Sequence, residues 1–526
     1  NTLNFKYSGS TSGTGIGVLY AGPNSTNNLK INVDNSTNTT KGVIGILANG
    51  GGTFNNTADI NVNSTDAGFG IVAENTDVVN SAKINLTNAN NLAKANVGIY
   101  AKTPGKTLTN SGDITGGNNT IGLYGYDVTN TGKIAVGDAG IGIYSQGGNV
   151  TVNNEIQVGG MEAVGVFTVG NNQNITSTGA MKIGDTSYGF VLKGANTNLT
   201  TNNGTVTLGN DSIFAYSNNT GTMTNNTKLV ATGSQNYGLY SGGTAENLAD
   251  IEFGTGIGNV GIYSVNGGTA KNGNSSIHPT ITVSGSDRVN KLFGIGMAAG
   301  DVDENTGVLK STGNIENYGT INVLQNDSIG MYAVGRGSTA KNYGTINLSG
   351  KKTVGMYLDK GAVGENYGDI KTVPNATNDG IIGVVALNGS VFKNYGNITI
   401  DAPNAVGFYG TDSESYEDKG GTLNVSGEGS QGKKIGVQNE TGKGVKGVQI
   451  VVPPSGIGVT MVRDGKTIVP TSVDTNIPTP EPTHVTAGST TLDIKDFNIP
   501  KNMGEASELG MYVDTSGVKY TNPIQG

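Results

Sequence analysis

The stretch Asn342-Tyr343-Gly344-Thr345-Ile346-Asn347-Leu348, followed shortly by Val354-Gly355-Met356-Tyr357, decides the fold. It joins three short runs that recur through the chain. The first is apolar-x-Asn: Ala340-Lys341-Asn342, and again Ala270-Lys271-Asn272, Phe392-Lys393-Asn394, Leu108-Thr109-Asn110 and Val128-Thr129-Asn130. The second is Gly-x-Ile-x-apolar, as in Gly319-Thr320-Ile321-Asn322-Val323 and Gly396-Asn397-Ile398-Thr399-Ile400. The third is apolar-Gly-apolar-Tyr, as in Val97-Gly98-Ile99-Tyr100, Ile121-Gly122-Leu123-Tyr124 and Ile329-Gly330-Met331-Tyr332. Each run alternates with period two, as a strand with one buried face does. The set returns about every 26 residues, roughly 17 times between Gly17 and Gly436.

Three strands and their turns in one such period make one coil of a right-handed parallel β-helix. Helical periodicity is missing, and so is the Leu and Asn spacing of leucine-rich repeats. The expected architecture is all-β: a solenoid over residues 1–446, a last strand with a Pro-rich connector over 447–484, and a cap or junction segment over 485–526, where the repeat is no longer visible. A coil buries its face only against its neighbours, so stability is roughly additive along the stack.

The chain has 526 residues, 86 of them Gly, with 14% charged and neither Cys nor Trp. Low charge with abundant Gly also marks disorder, but regular apolar spacing supplies the buriable surface that disordered segments lack. The net charge is −8 and the arginines are Arg288, Arg336 and Arg463, which is no footprint for nucleic-acid binding. Absence of Cys excludes disulfide stapling and thiolate chemistry. No run of about 18 apolar residues exists, so this segment is not expected to insert a helix into a membrane. Starting at Asn1 without Met or a signal-like stretch, it reads as a piece of a longer secreted chain.

The Asn closing the first run recurs at Asn56, Asn80, Asn110, Asn130, Asn154, Asn225, Asn247, Asn272, Asn342, Asn366 and Asn394. Stacked coils would bring these amides about 4.8 Å apart, as a hydrogen-bonded ladder. The Gly of Asn342-Tyr343-Gly344 suits a tight turn with positive φ. In the third run, alternation sends Ile329, Met331 and Ala333 inward and Tyr332 outward. Tyr240, Tyr263, Tyr357 and Tyr409 hold the equivalent place, giving an expected external aromatic stripe. Its role is either same-face pairing within a sheet or a ligand platform.

Catalytic chemistry finds little support. The histidines, His278 and His484, have no plausible Ser or metal partner in the repeat, and there is no phosphate-binding or dinucleotide fingerprint. Asp66, Asp138, Asp185, Asp211 and Asp327 recur just before the third run, which argues for turn chemistry. No catalytic residue, cofactor or metal is expected. Polysaccharide cleavage by paired carboxylates is the enzymatic alternative.

The repeat spacing lengthens between Gly261 and Gly294 and between Gly294 and Gly330. The extra residues, 284–292 and 299–316, are expected to leave the coil as loops; the acidic stretch 411–420 is a third candidate. Binding residues favour loops on rigid scaffolds. The first two loops are expected to form one protrusion in which Arg288, Lys291, Asp301, Asp303 and Glu304 meet a partner.

The coil from Asn342 to Tyr357 resembles the passenger repeats of Gram-negative autotransporter adhesins, in particular the very large fusobacterial group. The resemblance covers residues 1–449, and Leu509-Gly510-Met511-Tyr512-Val513-Asp514-Thr515-Ser516 resembles the stretch that follows such passengers. It implies type V secretion, display at the bacterial cell surface through an outer-membrane barrel elsewhere in the chain, and binding to a host-cell protein receptor or glycan, or to partner bacteria, without catalysis. A structural stalk that holds a separate binding tip is the alternative.

Overall fold

The computed structural model describes residues 1–435 except 8–14, 37–41, 66, 91, 304, 305, 307 and 412–414. Beyond 435 it describes only the strands Met461–Arg463, Lys466–Ile468, His484–Ala487, Thr490–Asp493, Glu508–Asp514 and Gly517–Tyr520. The chain divides into two units, residues 1–199 with 474–526 and residues 200–473. Each is a parallel β-solenoid, and together they count about 17 turns. The one helical element described is a short 3-10 turn, Leu92–Lys94.

In the first unit the second strands form an eight-stranded parallel sheet, from Thr2–Lys6 to Met181–Lys182. In the second unit they form a nine-stranded one, from Thr205–Leu208 to Thr422–Ser426. First and third strands stack likewise on their equivalents. Register is kept residue for residue: Ile321 lies opposite Ile346, Ile346 opposite Ile370, and Ile370 opposite Ile398.

Second strands show the expected alternation, with Ile346 and Leu348 buried and Thr345 and Asn347 half-buried. Third strands do not. All six residues of Val354–Asp359 are buried, so both faces are covered. On one side is the second strand: a Cβ added to Gly355 would lie 2.8 Å from Ile370 Cγ2. On the other is the first strand: one added to Gly364 would lie 2.6 Å from Met356 Sδ. A strand covered on both sides favours apolar or small residues throughout; Asp359 at its end is buried with hydrogen bonds from Lys360 N and Asn388 Nδ2.

The Asn ladder is present. In the second unit Asn225 Nδ2 donates to Asn247 Oδ1 (2.8 Å), Asn247 to Asn272 (2.9 Å), Asn272 to Asn317 (3.0 Å), Asn317 to Asn342 (2.9 Å), Asn342 to Asn366 (2.9 Å) and Asn366 to Asn394 (3.3 Å). In the first unit it runs from Asn27 through Asn56, Asn80 and Asn110 to Asn130. Most of these amides spend their second proton on a carbonyl two residues along, as Asn342 does on Gly344 (3.2 Å). Asn154 is a correction: it is exposed and donates to Thr131 O, while Val152 takes the place opposite Asn130. Asn27 and Asn317 are members that the sequence reading passed over.

Gly344 is a second correction. It does not adopt positive φ. A Cβ there would come within 2.0 Å of Gly319 O in the preceding coil, so Gly serves close approach between coils. A third concerns the C-terminal segment, read as free of the repeat. Strand Glu508–Asp514 lies parallel to Gly15–Tyr20, with Leu509 opposite Ile16 and Tyr512 opposite Leu19. Leu509-Gly510-Met511-Tyr512 thus supplies a third strand ahead of the first coil.

The outward positions of the first strands carry an ordered set of charges. Glu246, Lys271, Glu316, Lys341, Glu365, Lys393 and Glu417 lie opposite one another in succession, alternating in sign. Lys271 is 3.7 Å from Glu316 and Lys341 3.8 Å from Glu365. Each opposed pair contributes a few tenths of a kcal/mol and disfavours slipped pairings.

Asn342→Leu should destabilise the protein by about 1–3 kcal/mol, because it leaves the buried Asn317 donor and Asn366 acceptor without each other's link. Asn347→Leu, which loses only a half-buried bond to Asn322, should cost less. Denaturant midpoints of the two variants measure the difference.

Candidate functional site

The first insertion leaves the second strand Thr280–Thr282 and returns into the third strand Ile295–Ala299. Asp287 and Leu292 exchange two backbone hydrogen bonds (2.7 and 2.9 Å) and close a small hairpin. The Asp287 carboxylate accepts from the Asn290 side chain and from the backbone N–H groups of Val289 and Asn290. The Asn290 side-chain bond leads in holding that carboxyl below its ordinary range. Lys291 takes a left-handed φ of 56° within the turn. Arg288 folds back, its Nη1 3.0 Å from Asp327 Oδ1, and the Ser286 hydroxyl lies 2.9 Å from that of Ser328. Both anchors belong to the turn of the next coil. Val289 at the tip is 90% exposed.

The second insertion leaves the opposite end of Ile295–Ala299. Asp301–Val302 and Leu309–Ser311 pair antiparallel, and the chain then enters the first strand Gly313–Asn317. Asp303 accepts from Thr306 N (2.8 Å) and lies 3.7 Å from Lys310 Nζ. Asp301 is buried, near enough to the Tyr237 and Tyr263 hydroxyls to raise their pKa further beyond the larger effect of burial. Ser311 receives the Asn266 backbone N–H from the preceding coil's turn. Val308 and Leu309 remain exposed.

Arg288 and Lys291 therefore stand at one end of a five-residue strand, and Asp301 and Asp303 at the other, about 15 Å away along the strand. The expected single cluster is not formed, and the charges find other partners: Arg288 pairs with Asp327 in the turn of the next coil, and Asp303 with Lys310 within its own hairpin. Glu304 lies outside the described residues, as does part of the 411–420 loop. What the hairpins share is exposed apolar surface. Of the eleven large hydrophobic side chains exposed among the described residues, six lie in these coils: Ile257, Ile277, Val289, Val308, Leu309 and Leu324. The sequence carries a signal for this, apolar residues inside non-repeating loops, beside the more conspicuous charges.

The aromatic stripe is also corrected. Tyr240, Tyr263, Tyr332, Tyr357 and Tyr409 are 0–2% exposed, because the third strand is covered on both faces. Their rings pack in series, with centroids 5.1 Å apart for Tyr240 and Tyr263 and 5.7 Å for Tyr332 and Tyr357. The Tyr263 hydroxyl donates to Gly300 O (2.8 Å). Burial pushes the Tyr409 hydroxyl up to about 12. These residues stabilise the coils and offer no platform.

A different column is external. Tyr318, Tyr343, Tyr367 and Tyr395, each following a ladder Asn, stack in parallel with centroids 4.8, 4.8 and 4.6 Å apart. Tyr343, Tyr367 and Tyr395 are 37–41% exposed. Ring faces cover one another, so the column presents edges and hydroxyls. Elsewhere in the second unit, Arg336, Lys360 and Asn388 line a shallow cleft on successive third-to-first turns. Beneath it the buried Asp359 accepts from Lys360 N and Asn388 Nδ2. Among the described residues no group of three or more His, Asp or Glu side chains is gathered closely enough to hold a metal ion.

A family model described as the BigA third pectate lyase-like domain matches residues 125–368. The match fits a β-helix domain of a bacterial surface protein. No curated protein and no solved structure matches the chain.

Tyrosine nitration under native conditions should label Tyr343, Tyr367 and Tyr395 and spare Tyr240, Tyr263, Tyr332, Tyr357 and Tyr409. Peptide mapping decides it; equal labelling of the two sets would return the third-strand tyrosines to the surface.

Proposed function

We propose that this chain is a surface-displayed segment of an autotransporter-type bacterial adhesin that acts by binding a protein receptor through the two hairpins. The observation that carries the reading is the exposed apolar surface of the two hairpins, Val289 on one and Val308 and Leu309 on the other, with Ile257, Ile277 and Leu324 exposed in the same coils. Elsewhere the outer faces of the coils are mostly polar. Interface cores are more apolar than the surrounding surface and depleted of charge, with polar and charged side chains kept to the rim. Here the anchors are Val289, Val308 and Leu309, and the charged rim is Arg288 and Lys291 on the first hairpin and Asp303 on the second; Asp301 is buried beneath the second hairpin. Bonds of Arg288 and Ser286 to the next coil fix the first hairpin, so little ordering entropy is lost when a partner docks. The resemblance of the coils to adhesin passengers supports the same reading, as does the match to a surface-protein β-helix.

The test combines Val289→Asp with Val308→Asp and Leu309→Asp in the full chain. Loss of the three anchors together should cost at least about 1.4 kcal/mol of binding, so attachment to host cells or partner bacteria should fall about tenfold or more. The melting temperature should stay within a degree or two of the parent, since none of the three sits in the core. Parent-level attachment by the folded triple variant would falsify the hairpin assignment.

The pectate lyase-like description of the matching family favours a second reading, cleavage of an acidic polysaccharide. The outward carboxylates Glu316, Glu365, Asp327 and Glu155 each face a Lys or Arg of a neighbouring coil across 2.7–3.8 Å, an arrangement that serves coil stacking, and Asp303 faces Lys310 within its hairpin at 3.7 Å. Release of reducing ends from a panel of acidic polysaccharides, lost in Asp303→Asn, would favour cleavage; no release is the expected result.

A further inference from the structure

We propose that Tyr343, Tyr367 and Tyr395 form an oxidative crosslinking site, at which a peroxidase and hydrogen peroxide join neighbouring coils through dityrosine. The argument starts from geometry. Coupling two phenols needs their ortho carbons side by side, and rings related by one coil step meet that demand without search. Tyr343 and Tyr367 are parallel within 5° with centroids 4.8 Å apart, and Tyr367 and Tyr395 within 8° at 4.6 Å. Parallel rings displaced by one step hold each ortho carbon about one centroid spacing from its counterpart. The rings are exposed, so rotation about χ1 and χ2 can close the remaining gap without disturbing the core.

Tyr367 is the ring that should be oxidised first. Its phenol O–H donates to Glu365 Oε2 at 2.7 Å. That bond is the leading cause of the raised pKa of this phenol, ahead of burial. A phenol that loses an electron becomes a strong acid. Here the carboxylate beside it takes the proton as the electron leaves, so the high-energy protonated radical is avoided. Lys341, 3.8 Å from the same carboxylate oxygen, holds Glu365 in place.

The step balances as follows. The haem peroxidase, charged by one hydrogen peroxide, removes one electron and one proton from each of two tyrosines. The two phenoxyl radicals combine at ortho carbons, forming one C–C bond. Each ring then loses its ortho hydrogen as a proton and regains its phenol O–H. The sum is two tyrosines plus hydrogen peroxide giving one dityrosine and two waters. Successive residues of the column lie on successive coils, so the product ties coil to coil in a chain without cysteine.

The experiment treats the full chain, at low protein concentration, with horseradish peroxidase and limiting hydrogen peroxide. It reads dityrosine fluorescence, gel mobility and crosslinked peptides by mass spectrometry. Intramolecular Tyr343–Tyr367 and Tyr367–Tyr395 peptides are expected, with a raised melting temperature. Tyr367→Phe keeps the ring stack and should fold, and it should lose both peptides. Glu365→Gln should retain the products and slow their appearance severalfold, which a purely structural role for Glu365 would not do. Crosslinks that map mainly to other tyrosines, that join separate molecules, or that survive Tyr367→Phe unchanged would overturn the proposal.

Discussion

One close contact, present in nearly every coil, sets the terms for the rest of the structure. On the third strand, a Cβ added to Gly355 would lie 2.5 Å from the carbonyl oxygen of Gly383 in the next coil, inside any tolerable contact. That position admits no side chain. With it empty, the backbones approach, the second-strand isoleucine of the next coil settles over the gap, and every other residue of the coil falls into register with its equivalent. Asn meets Asn, Tyr meets Tyr and Lys meets Glu as a consequence. The columns are therefore secondary effects of one steric rule repeated in nearly every coil, Phe214 being the exception at the place opposite Gly238, and their energies add to a stack already positioned.

The architecture was legible because this rule leaves a written trace, a Gly between two apolar residues at a steady interval. The faces of the third strand were misjudged for an identifiable reason. Period-two alternation assigns one side to solvent, which holds for Thr345-Ile346-Asn347-Leu348, where polar residues interleave. In Ile329-Gly330-Met331-Tyr332-Ala333-Val334 no charged or amide residue occurs at either parity, and the whole strand is buried. Tyr332 was judged by its hydroxyl and its parity, when its neighbours showed that neither side faces water. The exposed aromatic column stood in the quoted repeat as Tyr343, between the Asn and the Gly that held attention.

The ladder shows how insertions hide equivalence. Asn317 closes Ile315-Glu316-Asn317, a regular first strand, but the preceding hairpin displaces it from the expected spacing. Asn154 sits at a convenient interval yet follows the strand, two places beyond Val152. Length locates both hairpins but draws the second too long: of the expected 299–316, Ala299 belongs to the third strand and residues 313–316 to the regular first strand Gly313–Asn317. Their separation was also readable in principle: one interrupts the passage from second to third strand, the other the passage from third to first, so they leave from different corners. Which charges would be satisfied within each hairpin was not readable, since Arg288 finds Asp327 only after the next coil is laid down.

The alternating charges on the first strands impose a parity on the second unit. Seven coils in succession place Glu, Lys, Glu, Lys, Glu, Lys and Glu at one outward position, so the true period of this face is two coils, although the backbone repeats in one. Excising a single coil, for example the one bearing Lys341, would set Glu316 against Glu365 and turn an attraction into a repulsion of similar size. Excising two neighbouring coils would restore opposite signs across the join. An even change in coil number thus keeps the alternation intact, and an odd one breaks it once, at a cost of a few tenths of a kcal/mol, on a backbone scaffold that is itself indifferent to the count.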